Sequence, residues 1–143
     1  MQVPHDSVIL VADGRKSLFF RNQGDEAFPN LSVVEKAAHP NPAHRDQASD
    51  LAGRASGTTG SDMEEVDFHQ QEEDRFAAQT AEMLKERVLR HEFETLVVVA
   101  PPRTLGELRK HYHVEVANRL AGEVPKNLTG HPIPEIEKAL SAA

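Results

Sequence analysis

The segment Ala100-Pro101-Pro102-Arg103-Thr104 is where this sequence concentrates groups able to do chemistry. It leaves the apolar run Thr95–Ala100 (TLVVVA) and enters a helical pattern, so it belongs at the carboxyl end of a buried strand. Open α/β sheets bind ligands at that place. The free N–H groups and dipole of the helix attract anions, and a guanidinium beside them clamps phosphate or carboxylate through paired hydrogen bonds. Thr104 followed by Glu107 fits a capping box, which predicts a helix start near Thr104. The alternative reading is a structural cap beside a solvated arginine. The same helix carries Arg109, Lys110, His111, His113 and Arg119 against Glu107 and Glu115, a basic strip in an acidic chain. Such a strip suits RNA phosphate or a nucleotide, or else it is a solvated face balanced by an acidic helix. The residues expected to contact a ligand are Arg103, Thr104, Arg109 and Lys110.

Other constellations are weaker. Glu65, His69 and Glu73 recur every four residues and share one side of a helix, but no second ligand set accompanies them, so no metal is expected. His111 and His113 are two apart and diverge on a helix. Asp13 precedes Gly14 and suits a turn. Cysteine is absent, which removes thiolate ligands, disulfides and a cysteine nucleophile. No phosphate-binding, nucleophile-elbow, zinc-protease or dinucleotide motif occurs, so no cofactor and no catalytic residue are assigned.

The elements that must hold these groups follow from periodicity. Val8–Ala12, the turn Asp13-Gly14 and Ser17–Arg21 read as a hairpin, and Leu31–Lys36 as a third strand, giving an antiparallel meander. Residues 39–60 show neither period and are rich in Pro, Gly, Ser, Thr, Asn and Asp, which predicts a long mobile loop. Ser61 and Glu64 fit a capping box for a helix reaching about Arg90, with Phe76, Ala77, Thr80, Ala81, Leu84 and Val88 as its apolar stripe. Between Asp62 and Asp74 there are seven carboxylates and no Lys or Arg, so that half is expected to face solvent or dock a basic protein. Thr95–Ala100 reads as a central strand covered on both faces. A stripe of Leu105, Leu108, Tyr112, Val116 and Leu120 predicts one helix ended by Gly122, followed by a short strand over Val124–Thr129 and a terminal helix Glu135–Ala142. The expected fold is α/β: a mixed β-sheet with packed helices, ribonuclease H-like, in one domain spanning residues 1–143.

Composition narrows the function classes. The apolar run at the N-terminus follows no basic stretch and is broken by Asp13, so neither a signal peptide nor a membrane span is expected, and the chain reads as cytoplasmic. The formal charge of -7 excludes a protein that coats nucleic acid by charge alone, but not one with a local basic face.

Val8–Gly14, Gly24–Leu31, Val99–His111 (VAPPRTLGELRKH) and Glu123–Pro132 (EVPKNLTGHP) resemble the bacterial family of host attachment proteins, those required for attachment to host cells. That family is similar to the middle domain of archaeal and eukaryotic class-1 peptide-release factors, a ribonuclease H-like domain that opens with a hairpin. In those factors a mobile loop bearing Gly-Gly-Gln precedes a long helix and delivers a water to peptidyl-tRNA. Here the corresponding loop holds Gly57-Thr58-Thr59-Gly60, expected to act as a flap, and the Gly-Gly-Gln is missing. Asp74-Arg75-Phe76-Ala77 is similar to the helix segment that follows the loop. The resemblance implies the fold and tRNA or the ribosome as partner. Three readings result: a binding domain for an anionic group, a peptidyl-tRNA ester hydrolase, and a module docking a basic protein through its acidic helix.

Overall fold

A computed structural model describes residues 1–38 and 61–143, with side chains described outside 36–67. The predicted loop 39–60 and its flap Gly57–Gly60 lie outside the described residues.

The strands are β1 (Val8–Ala12), β2 (Lys16–Asn22), β3 (Leu31–Ala38), β4 (Leu96–Val99) and β5 (Leu120–Val124). The helices are α1 (Ser61–Leu89), α2 (Pro102–His111), α3 (Val114–Arg119) and α4 (Ile133–Ala142). The sheet order is β3-β2-β1-β4-β5. β1, β2 and β3 run antiparallel as the meander requires, while β4 and β5 run parallel to β1. This is a mixed five-stranded α/β sheet with packed helices, as expected.

Alternation places a core on each face of the sheet. Val8, Leu10, Phe19, Leu96 and Val98 point toward α1, α2 and α3, where they meet Ala77, Leu84, Val88, Leu105, Leu108 and Val116. Ile9, Val11, Phe20, Val97 and Val99 point the other way, onto Val124, Leu128 and the Ile136 and Leu140 stripe of α4. Every residue of β1 and β4 is buried, so these two strands form the spine on which both layers rest.

The single helix expected from Thr104 toward Gly122 is in fact two helices and a strand. Tyr112 turns to extended backbone at φ -60 and ψ 128, ending α2. His113 then caps α3, its Nδ1 accepting the N–H of Glu115 at 3.0 Å. The stripe Leu105, Leu108, Val116 continues into the core through this break, which is why its spacing imitates one helix. The last strand is Leu120–Val124, with Gly122 inside it, rather than Val124–Thr129. Gly122 lies beside the Met1 side chain, whose methyl a Cβ there would meet.

In helix α1 the carboxylates Asp62, Glu64, Glu65 and Asp67 of the expected solvent-facing half lie outside the described side chains, and Glu72 departs from that expectation. Among its described residues Glu72 is buried at 7 % exposure and extends the inward series Glu72, Phe76, Thr80, Leu84, Val88 by one turn. Its carboxylate is held by Arg75 at 3.0 Å. Among the described residues no helix is long and apolar enough to cross a membrane.

Candidate functional site

Because β1, β4 and β5 are parallel, their carboxyl ends emerge at one edge, where β2 begins. Three connections meet there: the turn after β1, the β4–α2 junction, and the segment from β5 toward α4. Asp13 ties the first to the last. Its Oδ1 accepts the backbone N–H groups of Arg15 and Lys16 at 2.7 and 2.8 Å, and its Oδ2 accepts the Thr129 hydroxyl at 2.8 Å. Gly14 brings α1 close, since a Cβ at that position would stand 2.7 Å from the Glu73 carboxyl carbon. The turn predicted at Asp13-Gly14 is therefore present, and its carboxylate is a latch across the end of β4.

The β4–α2 junction differs from the predicted capping box. α2 begins at Pro102, with Pro101 at the N-cap position and no side-chain cap, so Thr104 is the third helical residue and does not cap the helix. Proline fits the first position because it has no N–H to leave unpaired there. The first intrahelical bond runs from Leu105 N–H to Pro101 O at 2.9 Å, which leaves the N–H groups of Arg103 and Thr104 ahead of it. The first turn has no acidic residue to offset them. Arg103 is exposed and pairs with no carboxylate among the described residues.

Arg109 and Lys110 are not gathered to this point. They sit in the last turn of α2, roughly 9 Å further along the helix at 1.5 Å per residue. Both are neutralised. Arg109 Nε lies 3.2 Å from each oxygen of Glu123, and Lys110 Nζ lies 2.9 Å from Glu107 Oε1. The Glu107 hydrogen bond holds the Lys110 ammonium above the usual lysine range. Of the four predicted contact residues, the structure keeps Arg103 and Thr104 together and sets the other two apart.

The remaining candidates give less. Glu65 is outside the residues with described side chains, His69 is exposed, and Glu73 lies against Gly14. Among the described residues no group of three or more His, Asp or Glu could hold a metal ion. His111 and His113 flank the α2–α3 break. Two features escape sequence reasoning. Thr129 reaches Asp13 across 116 residues, which no local pattern announces. The Tyr112 hydroxyl is buried without a hydrogen-bond partner, and burial, followed by the Glu123 charge, pushes its phenol well above the ordinary tyrosine range.

The model of bacterial archaeo-eukaryotic release factor family 12 matches residues 6–140. No curated protein matches. Among solved structures, the crystal structure of archaeal translation termination factor aRF1 is similar at a TM-score of 0.48 and 11% identity, covering 82% of this chain and 29% of that one. The chain thus spans less than a third of the length of that factor.

Proposed function

The chain belongs to bacterial archaeo-eukaryotic release factor family 12, and from that premise we propose that it is a cytoplasmic, translation-linked binding domain for an anionic group, tRNA or ribosomal RNA phosphate or a nucleotide. One observation carries the reading. Arg103 is exposed and unpaired among the described residues, beside two backbone N–H groups that precede the first bond of α2. An anion received there meets a helix dipole, free donors and a guanidinium fork together. Thr104 supplies an N–H and, half-buried, a hydroxyl at the same helix end.

The test is titration of the protein with tRNA and with nucleotides at low and moderate salt. Arg103→Ala is expected to weaken binding by about 1.5 to 3 kcal/mol, roughly ten- to a hundredfold, by loss of charge-assisted hydrogen bonds. Its stability should hardly change, because a solvated arginine contributes little to folding. A wild type that binds no anion, or an Arg103→Ala variant that binds equally well, overturns the reading. Ester turnover in a parallel assay with peptidyl-tRNA would move the protein to the hydrolase class. Copurification with one basic protein and no RNA would favour docking through α1.

A further inference from the structure

Among the residues with described side chains, the lysines and arginines fall into two populations. Arg75, Lys85 and Arg87 on α1, and Arg90 just after it, each face a carboxylate. So do Arg109, Lys110 and Arg119 on α2 and α3, while Arg21 donates to the backbone carbonyls of Asp6 and Glu92. Among the residues with described side chains, the cations left exposed and unpaired are Arg15, Lys16, Arg103, Lys126 and Lys138. Four of these five are at the carboxyl edge of the sheet: Arg15 and Lys16 where β1 turns into β2, Arg103 after β4, and Lys126 after β5. Among the residues with described side chains, where every other lysine and arginine except Lys138 has a partner, this grouping leaves one positive rim.

We propose that Arg15, Lys16, Arg103 and Lys126 form a rim that holds the sugar–phosphate backbone of single-stranded RNA without reading its bases. The inference rests on the anion-site reading of Arg103 and extends it from one group to a polymer. The cations follow the strand order β2-β1-β4-β5, and neighbouring strands lie about 4.8 Å apart, so the row spans roughly 14 Å. That is long enough for more than one backbone phosphate. The Asp13–Thr129 bond fixes the spacing by joining the outer two connections. Asp13 forms no ion pair with a rim cation, because its oxygens are taken by two N–H groups and a hydroxyl. Glu73, on the α1 side of Gly14, gives the rim a negative border that directs a polyanion along the loops rather than over the helix. The connections themselves, residues 13–16, 100–103 and 125–129, contain no aromatic side chain on which a base could stack. Contacts are therefore to phosphate, which carries no sequence information.

The experiment is anisotropy titration of a fluorescently labelled oligouridylate across a series of KCl concentrations, using wild type, Lys16→Gln, Lys126→Gln, Arg103→Gln and Lys138→Gln. Lys138, midway along α4, is an exposed, unpaired cation off the rim and serves as control. For a single strand the slope of log affinity against log salt is about 0.7 per phosphate neutralised. Each rim variant is expected to lose about that much slope and to bind several-fold more weakly, with Lys138→Gln like wild type. If Arg103→Gln alone weakens binding, the rim is refuted and the single-anion reading stands. If Lys16→Gln and Lys126→Gln weaken binding while Arg103→Gln does not, the rim holds without Arg103 and the single-anion reading fails. Equal losses in all four variants, Lys138→Gln included, mean diffuse attraction and refute the rim, as does a wild type that binds no RNA.

Discussion

Tyr112 shows how far a residue's type can be readable while its environment is not. Its place in the stripe with Leu108 and Val116 is legible from spacing, but the chain break beneath it and its unpartnered hydroxyl depend on β5, which brings Glu123 alongside. The folded protein holds the phenol above its ordinary value near 10, whereas the unfolded chain does not. The associated stability is complete below that ordinary value and is lost as pH rises past it, because the unfolded state then releases the proton first. Tyr112→Phe should therefore be neutral or stabilising by up to about 1 kcal/mol at neutral pH, since it removes a buried group with no partner. It should also flatten the alkaline decline; melting curves from neutrality to pH of about 11 check both, and an unchanged decline would mean the phenol is not its source. Thr104 illustrates a different failure. Thr104 and Glu107 have the spacing of a capping box, but Pro102 can open the helix without any side-chain cap, so the pattern falls two residues inside. Thr104→Ala should shift stability by less than about 0.5 kcal/mol, against the ~1 kcal/mol that a lost cap would cost.

Among the elements, α1 was the most legible, because its apolar period runs over four turns and ends where its last carbonyls are satisfied. That end is a Schellman motif: Glu92 N–H bonds Arg87 O and His91 N–H bonds Val88 O, both at 3.0 Å, with His91 at φ 60. Glycine is the usual residue there because a Cβ is strained in left-handed backbone. His91→Gly should raise stability by roughly 0.5 to 1 kcal/mol, measurable as a higher denaturation midpoint at unchanged denaturant slope. A fall in stability would show that the imidazole makes a contact worth more than the strain. In the acidic half of α1 the described exception to solvent exposure is Glu72, the one buried carboxylate among its described residues. Glu72 keeps the helix period and is turned inward beside Arg75, so period outranked residue type. β5 was displaced for the opposite reason. LAGEV is too short and too mixed to declare itself, and it becomes a strand by pairing with β4.

At the scale of the whole molecule the sheet is a partition, and β4 belongs to both of its sides: Leu96 and Val98 serve the α1–α3 core, Val97 and Val99 the α4 core. This was readable from the run TLVVVA, because apolar residues at consecutive positions require cover on both faces. Val98 is 0% exposed, so Val98→Asp should cost several kcal/mol, a large share of the roughly 5 to 15 kcal/mol that hold a domain together, and leave the protein unfolded or insoluble. A soluble variant with a cooperative melt would show that one layer can form without the other. Strand order was beyond the sequence, since nothing local says that β1 lies between β2 and β4. That order has a consequence for biosynthesis. A polypeptide emerging from the ribosome delivers β1, β2 and β3 first, but Val8 must wait for Leu96, and Asp13 for Thr129, 116 residues later. During elongation the first hairpins expose apolar surface on two faces. An interrupted translation product would thus be prone to aggregate, because the cover for both faces of its first strands comes from segments made later.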